Sequence, residues 1–248
     1  MRSSRSAKAD EERRPGWLTA IPYAHRGLHG PGRIENSRAA FEAAVAGGHG
    51  IECDVQLTRD GEAVVFHDYG LGRQTDQQGA VADRTLADLQ RVKLKGQDEG
   101  IPSLTDTLQL VAGRAPLLIE IKARHRSAPP LCAAVLRALT SYPGPAAIMS
   151  FNPQAGAWFA SRAPQITRGL VVSEHGKRGT CGRVERRLAL WRARPDFLAY
   201  DIRDLPSRFA AAQRARGLPV LTWTVRSPRD EEAASAFADQ IIHELPRP

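Results

Sequence analysis

The chain's 248 residues, 42% apolar and 25% charged, suffice to bury a core without disulfides or metals, which excludes a peptide-sized scaffold. The net charge of +8 suggests nucleic acid until it is located: residues 177–194 carry +6, the first 14 carry +2, and the rest is neutral. Three cysteines, Cys53, Cys132 and Cys181, without C-x-x-C spacing exclude a disulfide framework and a thiolate zinc site, and favour a reducing compartment.

In chain order, residues 1–16 read as a disordered basic tail with no apolar run of signal-peptide length. The first strand candidate is IPYAH (21–25), followed by a helix opening at Asn36 or Ser37 before RAAFEAAVA. GIECDVQL (50–57) is the second strand, and TRDG followed by EAVVFHD predicts a hairpin that returns the chain. Residues 69–102 are too long for an ordinary strand-to-helix connection and read as a small insertion with a helix near LADLQRV. Ser103 then opens LTDTLQLVA, and LLIEIK (117–122) is the next strand. AAIMSF (146–151), with Asn152-Pro153 opening a helix, and RGLVVS (168–173) follow.

In the basic stretch, Val184, Leu188 and Trp191 recur at i, i+4 and i+7. That spacing predicts an amphipathic helix with its apolar stripe inward and its arginines in solvent, free to steer an anionic substrate. FLAYDI (197–202), PVLTWTV (219–225), a helix opened by Ser227-Pro228, and QIIHEL (240–245) complete the pattern. Eight strands with intervening helices predict an α/β fold, a (β/α)8 TIM barrel with a small insertion after the second strand, spanning residues 17–248. An open doubly wound sheet is the alternative, but no G-x-G-x-x-G or P-loop motif follows a strand.

In such barrels the reactive groups sit at the carboxyl ends of strands. The first strand ends in His25-Arg26-Gly27; the second carries Glu52 and Asp54 on one face, with Cys53 on the other; the third carries Glu120 and Lys122 on one face. Carboxylates inside apolar strands are costly unless paired with a cation. Glu52, Asp54 and Glu120 supply the oxygen donors expected for Mg²⁺ or Ca²⁺, and ion pairing with Arg26 and Lys122 is the alternative account of the same residues.

The order HRG, E-C-D, the hairpin with His67-Asp68, and E-I-K resembles the glycerophosphodiester phosphodiesterase family. The matching stretches are AHRGLHG, IENSRAAFEAAVAGG, IECDVQLTRDGEAVVFHD, RQTDQQGAV, IPSLTDTL, LLIEIK, MSFNP and LTWTV, through most of residues 21–225. The resemblance implies a TIM barrel that hydrolyses a glycerophosphodiester to glycerol 3-phosphate and an alcohol. It implies a divalent metal on Glu52, Asp54 and Glu120, His25 and His67 as the catalytic pair, and phosphate contacts from Arg26 and Lys122. Glu35, Asp68 and Trp223 are weaker candidates, near the metal, beside His67 and against the alcohol respectively. The family's usual Thr-Asp before Pro is replaced here by His243-Glu244, and its Asn after Trp-Thr-Val by Arg226, so the head-group rim is expected to differ.

Phospholipase D-like hydrolysis of lysophospholipids is the nearest rival; it would need an exposed apolar cluster, which the sequence does not display. A non-catalytic anion-binding or nucleic-acid-binding barrel is the rival from another class. The expected partner is a small-molecule glycerophosphodiester, with no nucleic acid and no stable membrane insertion, in the cytoplasm. His29, His49, His125 and His175 are expected at the surface.

Overall fold

The computed structural model describes residues 15–123 and 128–244. The expected tail falls almost wholly outside them, and His125 lies outside them too. The elements in order are α1 (Trp17–Ala20), β1 (Tyr23–Ala24), α2 (Arg38–Ala46), β2 (Gly50–Leu57), β3 (Ala63–Val65), α3 (Leu86–Arg91), α4 (Leu104–Val111) and β4 (Leu117–Ile121). There follow α5 (Ala128–Leu139), β5 (Ala146–Ser150), α6 (Pro153–Arg162), β6 (Thr167–Val172), α7 (Thr180–Ala193), β7 (Phe197–Asp201), α8 (Arg208–Arg214), β8 (Val220–Val225), α9 (Pro228–Phe237) and β9 (Gln240–His243).

Eight parallel strands close into a barrel, running β1-β2-β4-β5-β6-β7-β8-β9 and back to β1. That closure excludes the open sheet. β3 is the hairpin return, antiparallel to β2 with Val55 opposite Val65, and Gly61 at φ +84 makes its turn. Helix starts follow local chemistry: Ser37, Ser103, Asn152 and Ser227 each accept a backbone N–H of the first turn.

Strand alternation sorts the core. Ile51, Cys53, Val55, Leu117, Ile119 and Ile121 face the helices, packed with Phe41, Leu108 and Leu131. Leu118, Met149, Val171, Phe197, Leu221 and Ile242 fill the interior with Tyr23 and Leu18. α1 covers the amino end of the strands, where the Tyr23 hydroxyl donates to Leu18 O at 3.1 Å. Residues between β3 and α4 carry their own small core of Phe66, Leu71, Val81, Leu89, Leu94 and Ile101.

Two expectations fail. His49 and His243 are buried, their rings 5.0 Å apart, so His49 is not a surface residue and His243 does not reach the rim. α7 is also rotated from its expected orientation: Val184, Leu188 and Trp191 are 49%, 60% and 74% exposed, an exposed apolar cluster that the sequence does not display, while Gly182, Arg186 and Ala193 face inward. Close approach requires small residues on that inner face, since a Cβ on Gly182 would lie 1.9 Å from Lys177 O and one on Gly156 of α6 would lie 2.7 Å from Ala193 O. Arg186 is held there by Glu174 at 3.0 Å and by the Lys177 carbonyl at 2.8 Å.

Candidate active site

The carboxyl ends of β1, β2 and β4 bring the first group together. Because β2 and β4 are in register, Asp54 lies beside Glu120, and Glu52 points into the same mouth two residues earlier. One oxygen from each of Glu52, Asp54 and Glu120 lies within 4.8 Å of the others, and all three residues are buried. Lys122 Nζ bridges Asp54 Oδ1 at 3.1 Å and Glu120 Oε1 at 3.0 Å. Arg26 Nε stands 3.3 Å from Asp54 Oδ2, and its Nη1 donates to Glu35 Oε1 at 2.7 Å.

The turn after β1 sets this up. Arg26 (φ +57) and Gly27 (φ +78) are left-handed, a conformation that costs a side chain little only at glycine. The turn aims the Arg26 backbone N–H at Glu52 Oε2, 2.9 Å away. A Cβ on Gly27 would meet the backbone and side chain of Ala40 at 2.9 Å. Gly27→Ala is therefore expected to destabilise the chain by about 1–3 kcal/mol. An unchanged urea midpoint would show that the turn relaxes freely.

Charge fixes the protonation preferences. Burial, then repulsion from Asp54 and Glu120, raises the Glu52 carboxyl well above the usual range. Burial likewise raises Glu120, against the opposing pull of Lys122. Burial also disfavours the Asp54 carboxylate, but Lys122 and Arg26 outweigh it and hold Asp54 below the usual range. Three carboxylates facing two cations leave an acidic excess in a buried cluster. Among the described residues no donor reaches Glu52 Oε1, a buried oxygen. A buried orphan oxygen in an all-oxygen donor set fits a hard divalent cation.

Both imidazoles are held through Nδ1. His25 Nδ1 lies 2.5 Å from Glu244 Oε1, and its Nε2 lies 3.9 Å from Glu52 Oε2. Burial lowers the affinity of His25 for a proton, opposed by Glu244. His67 Nδ1 lies 2.6 Å from Asp68 Oδ1. Asp68 also accepts from Arg73, which holds its carboxyl at about 2. Arg73 and Gln74 reach on to Glu35, which shares Arg26 with Asp54 and so stands one residue away from the acidic group. Gln56 fixes the loop by donating to the Phe66 and Asp68 carbonyls, each at 2.7 Å.

His25, Arg26, Glu52, His67, Glu120 and Lys122 line one cleft of about 440 Å³. Its far wall is Trp223 with Phe151, rings edge to face at 5.5 Å, and its rim is polar, with Asp201, Arg203, Arg226 and Asp230. The Trp223 indole donates to Ala199 O at 2.9 Å, which fixes its plane.

Three contributors escape a reading of the sequence. Glu244 binds His25 and accepts from Arg226 Nε at 2.6 Å, a role that its place beside His243 does not reveal. Ile242 faces the barrel interior, so strand alternation puts Glu244, not His243, on that face. Asn36 reads as a helix entrance, yet Ser37 is the cap and Asn36, at φ +56, donates Nδ2 to Asp54 Oδ2 at 2.9 Å. Arg73 opens the RQTDQQGAV stretch that matches the family, but its partners, 5 and 38 residues away, do not show in the sequence.

A closed parallel barrel whose mouth joins three acids, two imidazoles and two cations is equipped to hydrolyse an anionic ester. The sequence model of the glycerophosphoryl diester phosphodiesterase family matches residues 25–243, and the chain belongs to that family. The glycerophosphodiester phosphodiesterase of Caldanaerobacter subterraneus subsp. tengcongensis is 30% identical over 244 residues, covering 92% of this chain and 96% of the relative. An Oleispira antarctica phosphodiesterase solved with the product sn-glycerol-3-phosphate has a TM-score of 0.80 at 26% identity, covering 92% of this chain and 94% of that one. The Thermotoga maritima glycerophosphodiester phosphodiesterase shares the fold, with a TM-score of 0.73 at 23% identity over 90% of this chain and 94% of that one.

Proposed function

We propose that the chain hydrolyses glycerophosphodiesters to glycerol 3-phosphate and an alcohol in a divalent-metal-dependent reaction. The convergence of Glu52, Asp54 and Glu120 carries this reading, because one cleft gathers three buried carboxylates beside two cations and two oriented imidazoles. These carboxylates would hold Mg²⁺ or Ca²⁺, whose charge offsets the non-bridging oxygens of a phosphodiester and makes phosphorus more open to attack. Arg26 and Lys122 add positive charge on the same side, each already aimed by a carboxylate.

The histidines divide the protons. With Nδ1–H held by Glu244, neutral His25 presents Nε2 as an acceptor, and its burial keeps it neutral near pH 7. His25 therefore deprotonates the attacking oxygen, and Glu244 stabilises the imidazolium that results. His67, set on the hairpin and held by Asp68, protonates the departing alcohol. The charged rim of Asp201, Arg203, Arg226 and Asp230 favours a small polar alcohol, with Trp223 as its apolar floor. The product seen in the Oleispira relative supports glycerol 3-phosphate as the released half.

The test is a panel of glycerophosphocholine, glycerophosphoethanolamine, glycerophosphoglycerol and a lysolipid, each with Mg²⁺, with Ca²⁺ and with chelator. Release of glycerol 3-phosphate from one or more soluble diesters, abolished by chelator, is the expected result. Full turnover by verified metal-free protein would remove the metal from the mechanism.

A further inference from the structure

The outward face of α7 is unaccounted for by hydrolysis. Leu188 and Trp191 are 60% and 74% exposed on a 14-residue helix whose inner face is already packed. Val184 completes the apolar stripe, and Arg183, Arg187 and Arg192 edge it, all exposed, with Glu185 on the Arg192 side neutralised by Lys177 at 2.6 Å. Phe151, 49% exposed, joins Val184 and Leu188 in one groove of about 550 Å³ and is at the same time a wall of the catalytic cleft. Phe151 therefore links the cleft to the outward face of α7.

We propose that this face docks the protein on an anionic lipid bilayer, with the mouth of the barrel beside the membrane. Charge complementarity selects the occupant. A tryptophan and leucine stripe edged by arginines matches a surface with apolar depth and negative headgroups. A second copy of the same face would set Arg183, Arg187 and Arg192 against their own counterparts. A nucleic-acid backbone would engage the arginines and leave Leu188 and Val184 without a partner. Among the described residues no helix is long and apolar enough to cross a membrane; the docking proposed is that of a helix face lying on the surface. It stands independently of the reaction carried out in the cleft.

The experiment is flotation of the full chain with vesicles of phosphatidylcholine alone or mixed with phosphatidylglycerol. The wild type is expected to float with the mixed vesicles only, and to be released by salt. Leu188→Gln with Trp191→Gln is expected to weaken binding at least about tenfold. Arg183→Gln, Arg187→Gln and Arg192→Gln together are expected to weaken it on the order of a hundredfold at low salt. Both variants should keep the wild-type Tm; a fall would mean that the face is packed, and would overturn the proposal. A dye on Cys181, the exposed cysteine of the first turn of α7, should shift to the blue on the mixed vesicles. No flotation with anionic lipid, or equal flotation after the Leu188 and Trp191 changes, would also overturn it. So would a dimer that those changes dissolve, or DNA binding that they leave intact in place of lipid binding.

Discussion

Glu52→Gln is expected to make the metal-free protein more stable and the enzyme inactive. In the folded state burial and the two neighbouring carboxylates raise the Glu52 carboxyl well above its usual range. A group with a raised folded value contributes stability below the usual carboxylate range and loses it as pH rises through the folded value. Metal-free wild type therefore loses stability from this residue as pH rises above the usual carboxylate range, and Gln, which cannot ionise, abolishes that loss. With divalent ion at about a hundred times its dissociation constant, wild type should gain roughly 3 kcal/mol, or about 5–10 °C in Tm. The variant should gain almost nothing and lose at least about a hundredfold in turnover. Melting curves in chelator and in Mg²⁺ or Ca²⁺ at two pH values decide the matter. A variant less stable than wild type in chelator would mean that Glu52 is held by ion pairing, with the arginine and lysine as its true partners.

The barrel was legible because its strands are short apolar runs bounded by turn residues, and because serine and asparagine caps sit where the helices begin. The acidic group was legible for the same reason: period-two alternation places Glu52 with Asp54, and the parallel register brings Glu120 beside them. What escaped depends on residues whose environment contradicts their type. The inner face of α7 is built from Gly182, Ala193 and an ion-paired Arg186, so apolar periodicity pointed the helix the wrong way. Glu244 follows His243, and only the parity of β9 shows which of the two faces the cleft. Arg73 and Glu35 meet across 38 residues, a distance that only the loop after the hairpin closes.

His25→Ala and His67→Ala are expected to differ by substrate. A choline or ethanolamine alcohol leaves poorly unless it is protonated as its bond to phosphorus breaks, whereas nitrophenolate leaves without help. His67→Ala should therefore lose on the order of 10²–10⁴-fold with a natural type of diester and far less with a nitrophenyl diester. His25→Ala should lose comparably with both, because the attacking oxygen must shed its proton in either case. The carboxylates behind the rings sharpen the comparison. Glu244→Gln keeps the contact to His25 Nδ1 but removes the charge that stabilises the imidazolium, so it should reproduce a milder His25 pattern on both substrates. Asp68→Asn should reproduce a milder His67 pattern, with the nitrophenyl diester least affected. Rate measurements with both substrates on the four variants give the assignment directly: reversal of the two patterns exchanges the acid and the base, and equal proportional losses for both histidines on both substrates would end the division of labour.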